Sequence, residues 1–283
     1  MTGPRSLEGL EGEAFWDQYA SIMGPGGLLT YRYIGSTGAT ALDRHHSEST
    51  ALVRHDMRGP AGILAAAYSI VGGDAASTID DAIAIPAPVH VDLQVLDAGE
   101  GVAELRCRCE ITHEGRTQLV YRKQWEDATD PTRVLAVGTS VSVVIGPAPQ
   151  GHQYVPPGPG VPDSPSLPPL WEAFGARRTG GGYELPELSM ELGSTSASLH
   201  HGPIQVVLEA AATDAAMEAA GGDRLRTSHW DVTFVRKGKV GPFTTRAEVV
   251  TARPDSVTCS ATLHDEGVEG RMIACATAVF QRG

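Results

Sequence analysis

The chain has 283 residues, of which 41% are hydrophobic, and its formal net charge at pH 7 is −12. This length allows one large or two ordinary domains with a substantial core, and the acidic balance excludes a protein that wraps nucleic acid. No apolar run approaches the length of a membrane span, the N-terminal residues lack an apolar signal core, and the cysteines show no Cys-x-x-Cys spacing. We therefore expect a reduced, cytoplasmic protein without a bound metal.

The first half of the sequence predicts a helical lead-in, several strands, one apolar helix and a final group of strands. The lead-in is LEGEAFWDQYASIM from Leu10, and strand-like runs begin with LLTYRYIG from Leu28. The segment RGPAGILAAAYSIV from Arg58 predicts a helix that starts at its Gly-Pro pair and is buried on most sides. The later strands alternate polar and apolar residues, as in VAELRCRCEI from Val102, which is typical of a sheet with one solvent-exposed face.

A segment rich in proline and glycine separates the two halves. It begins GPAPQGHQYVPPGPG at Gly146, and its prolines remove backbone donors and favour extended, unpaired chain. We therefore divide the sequence into a first domain of residues 1–145, a linker of residues 146–180 and a second domain of residues 181–283.

The second half repeats landmarks of the first. Its own apolar helix is predicted from the run HHGPIQVVLEAAATDAAM, so the two corner glycines, Gly59 and Gly202, are 143 residues apart (202 − 59). In the strands VHVDLQVL and SHWDVTFV, His90 and His229 are 139 residues apart (229 − 90), and a third landmark in the last strands keeps a similar interval. A consistent register across three landmarks indicates an internal duplication.

Strands, a Gly-Pro corner, a buried helix of small residues and four further strands resemble the hotdog fold. In this α+β fold a curved antiparallel sheet wraps around one long buried helix. The tandem arrangement resembles the double-hotdog members of the acyl-CoA thioesterase superfamily. That resemblance implies that an acyl-CoA thioester is hydrolysed at the interface of the two hotdog modules, with coenzyme A as part of the substrate and no further cofactor.

The two corners differ in how closely they follow the superfamily. In its phenylacetate-pathway type the corner reads His-Gly-Gly, and an acid follows the histidine by nine residues. Here His201-Gly202-Pro203 keeps the first two positions, whereas Arg58-Gly59-Pro60 keeps only the glycine. The resemblance assigns oxyanion donors to the amides of Gly59 and Gly202, and the orientation of the turn or of the substrate carbonyl to His201. Proline at the next position fits the first turn of a helix.

The expected acid is displaced in this sequence. Counting nine residues from either corner residue reaches an alanine, Ala210 or Ala67, and neither can activate water. Glu209 would serve as the general base if the helix begins so that His200, rather than His201, takes the family position. Otherwise Glu209 forms an ion pair at an interface.

Further candidates come from both halves. Tyr68 lies near the corresponding position of the first helix, where its phenol would hydrogen-bond a water or the thioester. The basic run VRKGKVG could hold the phosphates of coenzyme A. At the corner of the first half, Arg58 and Asp56 are the further candidates for substrate binding. The predicted substrate-binding residues are Arg58, Asp56, Arg236, Lys237 and Lys239.

Two other functions stay open beside thioester hydrolysis. Hotdog relatives also hydrate or dehydrate enoyl thioesters, and the pair His55-Asp56 is compatible with that chemistry. The missing acids at Ala67 and Ala210 favour instead a protein that binds acyl-CoA without turnover. In each case the expected partner is a small acyl-CoA, with no nucleic acid or membrane, and self-association of the tandem unit is left open.

Overall fold

The computed structural model describes residues 6–24, 26–34, 39–72, 85–146 and 160–283, and it is dominated by one large antiparallel sheet. The helices are α1 (Gly12–Met23), α2 (Leu29–Tyr33), α3 (Ala65–Ile70), α4 (Leu170–Ala173) and α5 (His201–Ala220). The strands up to the middle of the chain are β1 (Ala39–Ala41), β2 (His46–Leu52), β3 (Arg58–Gly59), β4 (Gly62–Ile63), β5 (Ile85–Val95), β6 (Glu104–Glu114), β7 (Gln118–Asp127) and β8 (Asp130–Gly146). The later strands are β9 (Arg177–Thr179), β10 (Gly182–Leu185), β11 (Leu225–Phe234), β12 (Phe243–Ala252), β13 (Ser256–Asp265) and β14 (Arg271–Arg282).

The strand order is the same in the two halves of the sheet. Within the described ranges, twelve strands pair in the order β1-β2-β6-β7-β8-β5-β11-β14-β13-β12-β10-β9. Reading outward from the central β5–β11 pair gives β5, β8, β7, β6, β2, β1 on one side and β11, β14, β13, β12, β10, β9 on the other. We call the chain up to β8 module one and the chain from α4 module two. The predicted α+β fold class, with two similar modules, is confirmed.

The repeated histidines lie at the seam between the modules. Strands β5 and β11 are antiparallel, with Asp92 directly opposite Asp231. His90 Nε2 lies 3.3 Å from Asp231 Oδ2, and His229 Nε2 lies 2.7 Å from Asp92 Oδ2. The His-x-Asp motif of each module therefore supplies one half of two reciprocal cross-strand pairs. Because all four side chains are about one third exposed, we expect each pair to contribute at most about 1 kcal/mol.

Helix α5 is the buried helix of module two. Its side chains are apolar on nearly all sides, and it packs against β12, β13 and α3. The helix ends at Gly221, whose positive φ of 67° gives the left-handed C-cap that glycine adopts most easily. No helix in the described ranges is long and apolar enough to cross a membrane.

The Gly-Pro corner of module one does not start a helix, so the predicted helix start at Gly59 is wrong. Strands β3 and β4 form a hairpin at this point, and α3 begins only at Ala65. The cause is Gly62, which has a φ of +112° and lies so close to the Ala98 carbonyl that a Cβ would approach it to 2.8 Å. The chain can therefore enter the helix only after the hairpin closes, through the hydrogen bond from Leu64 N–H to the Met57 carbonyl.

Two other segments differ from the sequence-based expectation. The run LLTYRYIG, predicted as a strand, contains the short helix α2. Residues 147–159 of the predicted linker lie outside the described residues, and the later part of the predicted linker contains α4 and the whole of β9. The domain boundaries at residues 145 and 181 stay predictions.

Candidate functional site

Glu209 of module two lies on the first turn of a helix in module one. It is in the third turn of α5 and is only 2% exposed. Its Oε1 accepts a hydrogen bond from the Ala65 N–H at 2.8 Å, and its Oε2 accepts one from the Ala66 N–H at 2.8 Å. An acid of one module and two backbone donors of the other therefore meet at a single buried point.

The donors are available because of the way α3 begins. The first N–H groups of a helix have no acceptor within the helix. Leu64, which precedes α3, has an extended backbone and provides no side-chain cap. Ala65, Ala66 and Ala67 are fully buried, and their small side chains allow α5 to approach the backbone closely. The N–H groups of Ala65 and Ala66 thus have no acceptor within α3 and donate to Glu209 of the other module.

Burial sets the ionisation of Glu209. Removal from water raises the pKa of its carboxyl group, and the hydrogen bonds from Ala66 and Ala65 lower it by a smaller amount. The resulting pKa is about 7. At neutral pH the group is therefore divided between an acid and a base, which is the range in which a general base works efficiently.

The second helix start, at α5, is filled by side chains of the protein. His200 is the N-cap, and its Nδ1 accepts a hydrogen bond from the Gly202 N–H at 3.2 Å. Thr30 of α2 contacts the same Nδ1 at 2.9 Å, and a Cβ on Gly202 would approach the Thr30 side chain to 2.5 Å. The amide of Gly202, predicted as an oxyanion donor, is thus already bonded. Glu209 follows the N-cap His200 by nine residues. This is the spacing between histidine and acid that the predicted general-base role of Glu209 required.

His201 belongs to the α5 start rather than to the Glu209 site. Its Nδ1 lies 3.4 Å from the Gln205 amide nitrogen, and Gln205 Oε1 accepts from Trp230 Nε1 at 3.3 Å. Burial, with the nearby Lys123 ammonium, lowers the pKa of His201 to about 4. Eight helical residues separate His201 from Glu209, which is about 12 Å along the axis. The two predicted catalytic residues therefore do not meet.

Tyr68 lies one turn after Ala65 in α3. Its ring is fully buried and packs edge-on against Trp125, with ring centroids 6.0 Å apart. A Cβ added to Gly99 would lie 3.5 Å from the Tyr68 hydroxyl, so this oxygen lies against the turn at Gly99. Burial raises the pKa of the hydroxyl, and the negative charges of Asp97 and Glu209 act in the same direction. Tyr68 is therefore within electrostatic range of Glu209 and stays protonated at neutral pH.

The residues predicted around the first corner have structural partners. Gly59 lies in β3, before the helix, so its amide is not one of the helix-start donors. The Arg58 guanidinium donates to the carbonyls of Gly99 and Val102. The Asp56 carboxylate is buried and accepts two hydrogen bonds from Arg54, at 3.1 and 3.0 Å. Arg58 and Asp56 thus hold the corner in place; Asp56 is buried, whereas Arg58 is exposed and its binding of substrate stays a prediction.

His55 and Asp56 are adjacent in sequence but have different partners in the structure. His55 is exposed and its Nδ1 lies 3.0 Å from Asp163, whereas Asp56 is buried against Arg54. Within the described ranges, no three His, Cys, Asp or Glu side chains are grouped so that they could hold a metal ion.

The basic run directly follows β11, at the end of that strand that lies beside the start of α5. Leu199, just before α5, donates to the Gly238 carbonyl, whereas Thr227 at the start of β11 donates to the Ala61 carbonyl beside the first corner. Ten strand residues separate these ends by roughly 30 Å. Lys239 donates to two carbonyls of the loop that precedes α5, at 2.8 and 3.0 Å. Lys239 therefore supports the loop before α5, and the binding of substrate phosphates by Arg236, Lys237 and Lys239 stays a prediction.

Sequence reasoning missed the two amide donors and the histidine cap. Ala65 and Ala66 carry no functional side chain, and only their backbone acts, so a search for reactive residue types passes over them. One signal was present: Gly62 follows Gly59 by three residues, and a second glycine so close to a helix start indicates a turn. The choice between His200 and His201 as the N-cap had no comparable signal.

Comparison with known proteins identifies the architecture. Residues 197–270 match the family model described as Thioesterase superfamily. The tesB protein of Mycobacterium avium subs paratuberculosis has a TM-score of 0.57 and 14% identity, over 87% of this chain and 95% of that one. An acyl-CoA thioesterase II, TesB2, from Mycobacterium marinum has a TM-score of 0.56 and 11% identity, over 90% and 98% of the two chains.

A protein with a hot dog fold from Alicyclobacillus acidocaldarius has a TM-score of 0.55 and 10% identity, over 90% and 97%. No curated protein is significantly similar in sequence to this chain. At these identities the structural similarity establishes the fold, and the family-model match covers part of module two. The resemblance inferred from the sequence is thus confirmed: the chain has the double-hotdog architecture, and its second module carries the sequence pattern of the thioesterase superfamily.

Proposed function

We propose that the chain is an acyl-CoA thioesterase whose single site lies where Glu209 of module two meets the amides of Ala65 and Ala66. The observation that carries this proposal is the buried carboxylate, with a pKa of about 7, on two backbone donors of the other module. The names of the tesB protein and of acyl-CoA thioesterase II among its structural neighbours agree with it.

In this proposal Glu209 acts as the general base. Its carboxylate takes a proton from a water, the water oxygen bonds to the thioester carbonyl carbon, and the developing oxyanion accepts a hydrogen bond from Ala65 or Ala66. The C–S bond then breaks, and the proton held by Glu209 passes to the departing sulfur to give a free thiol and a carboxylic acid. Losing one such backbone donor costs about 3 kcal/mol of barrier in comparable sites.

Substrate binding requires one change at this site. The carboxylate occupies both amides, so the thioester oxygen must replace one of its two oxygens. The other hydrogen bond then holds Glu209 beside the water. During the reaction, one of the two amides would bind the oxyanion and the other would bind the Glu209 carboxylate.

The phosphate-bearing part of coenzyme A is expected at the start of β11. A groove of about 380 Å³ there is lined by residues of β5, β11 and β14, including Arg226, Ser228 and Gln281. The adjacent Thr227 is hydrogen-bonded to Ala61, beside the first corner. We expect Arg226→Ala to raise KM for acyl-CoA and to weaken the dependence of KM on salt. Lys237→Ala, at the other end of the strand, is the matched control; a rise in KM for Lys237→Ala alone would place coenzyme A at α5 instead.

Release of free thiol from acyl-CoAs of several chain lengths tests the activity. We expect turnover by the wild-type protein and a loss of about 100-fold or more in kcat for Glu209→Gln, because general bases contribute about 10²- to 10⁴-fold. Absence of turnover above background on every chain would refute the proposal.

A non-catalytic acyl-CoA-binding protein is the second candidate. It is favoured by the fact that both helix starts are occupied by the protein's own side chains, Glu209 at α3 and His200 at α5. Binding of acyl-CoA without thiol release, unchanged in Glu209→Gln, would select it. The structure adds no support to the enoyl hydratase alternative, because His55 and Asp56 have separate partners.

A further inference from the structure

The Tyr68 hydroxyl has no hydrogen-bond partner among the described residues, although it is fully buried. Buried polar groups are almost always paired, because an unpaired one loses its water without compensation. The same module contains two further buried hydroxyls without partners in the described chain, those of Ser49 and Ser140. The described part of module one therefore contains buried hydroxyl groups that form no hydrogen bond.

Tyr68 lies close to the proposed reaction centre. It follows Ala65 by three residues, so the two lie on the same face of α3 and are about 4.5 Å apart along the helix axis. Helical side chains lean toward the N-terminus, which directs this ring toward the end of α3 that Glu209 contacts. The turn at Gly99, which the hydroxyl touches, packs against Ile63 just before the same helix start. The Tyr68 hydroxyl therefore lies on the side of α3 that leads to the helix start where Ala65 would bind the thioester carbonyl.

We infer that Tyr68 determines the acyl specificity of the proposed thioesterase, by donating its hydroxyl hydrogen to an oxygen atom on the acyl group near the thioester. The ligand class is an acyl-CoA with a hydroxyl or keto oxygen on carbon 3, rather than an unsubstituted saturated chain. This inference rests on the proposed function for the position of the thioester. A site that hydrogen-bonds such an oxygen discriminates against the analogue without it, because the buried donor is then left unpaired.

The test compares chain-matched substrates in the wild type and in Tyr68→Phe, which removes only the hydroxyl oxygen. The measured quantity is the ratio of kcat/KM for a 3-hydroxyacyl-CoA to kcat/KM for the unsubstituted acyl-CoA, over short, medium and long chains. We expect a wild-type ratio of about 10, falling to near 1 in Tyr68→Phe, since one hydrogen bond is worth up to about tenfold. An equal ratio in both proteins overturns the inference. That result is also the one expected if a buried water pairs with Tyr68.

Tyr183→Phe is the matched control. The Tyr183 hydroxyl is paired with Asp214 and Arg178 in module two. We expect this variant to unfold at lower temperature with an unchanged substrate ratio, whereas Tyr68→Phe should unfold at the same or a higher temperature with a lost ratio. A lowered melting temperature in Tyr68→Phe would mean that its hydroxyl has a partner within the protein and would overturn the inference.

Binding of non-hydrolysable thioether analogues separates this inference from the proposed activity. If the wild type hydrolyses no thioester but binds the 3-hydroxy analogue more tightly than the plain one, and Tyr68→Phe abolishes that difference, the activity fails and the role of Tyr68 stands. If neither protein distinguishes the two analogues in a calorimetric titration, the role of Tyr68 is overturned whether or not hydrolysis occurs.

Discussion

The carboxyl group of Glu209 provides the sharpest physical test, because burial and hydrogen bonding act on it in opposite directions. Its pKa rises from 4.5 to about 7 on folding, so burial outweighs the two amide hydrogen bonds. Between these pH values the folded protein binds more protons than the unfolded chain, and the free energy of unfolding therefore falls as the pH rises. At 1.36 kcal/mol for each pH unit, the loss amounts to about 3 kcal/mol, complete above pH 7.

Glu209→Gln removes this titration while keeping the shape of the side chain. We expect the free energy of unfolding of the wild type, minus that of Glu209→Gln, to fall by about 3 kcal/mol between about pH 4 and about pH 8. Urea denaturation followed by tryptophan fluorescence at a series of pH values measures both terms. Glu218→Gln is the control for the loss of one negative charge, since Glu218 is an exposed residue of the same helix.

The direction in which this difference in unfolding free energy changes with pH tests the reasoning. A difference that rises with pH would show that the hydrogen bonds from Ala65 and Ala66 outweigh the cost of burial, and the reasoning about a carboxyl group poised near neutrality would be refuted. Parallel curves for the two proteins would show that Glu209 is not buried as the structure has it.

Three further predictions concern the pH dependence of turnover, the start of α5 and the buried pair at the first corner. If ionised Glu209 is the base, kcat/KM rises as the pH increases through about 7, and a profile flat from about pH 5 to 9 excludes this role. Gly202→Ala brings a Cβ to 2.5 Å from Thr30, so we expect a loss of about 1–3 kcal/mol in denaturation experiments; an unchanged midpoint would mean that α2 does not close the α5 start. Asp56→Asn leaves Arg54 as a buried charge without its partner carboxylate, with an expected loss of about 3–5 kcal/mol; a loss below about 1 kcal/mol would contradict the burial of that pair.

The sheet and the helix of module two could be predicted because their patterns are local and periodic. Alternating residues such as those of β6 determine which face is buried, and most of α5 is apolar because the sheet and α3 cover most of its surface. The repeat alone does not predict that His90 pairs with Asp231 and His229 with Asp92. These pairs require β5 and β11 to be neighbours in the sheet. That long-range contact leaves no local signal.

The failures of the sequence analysis come from tertiary contacts and single-residue register. Thr30 lies in a run of β-branched and aromatic residues typical of a strand, yet it folds as part of α2 and contacts His200. Gly59 looks like Gly202 in sequence, but the left-handed backbone of Gly62 turns the first corner into a hairpin. For Glu209, a shift of one residue in the N-cap decides whether the carboxylate reaches the partner helix.

The division of the site between two modules has a consequence for how this protein loses activity. If the proposed function holds, neither half carries a complete reaction centre, because Glu209 belongs to module two and the amides of Ala65 and Ala66 belong to module one. Weakening the pairing of β5 with β11, for example at His90 and Asp231, should loosen the alignment of carboxylate and amides while both halves keep their secondary structure. The turnover rate would then depend on the contact between the two modules of one chain. In the same way, the rate of an enzyme whose active site is shared by two chains depends on their association.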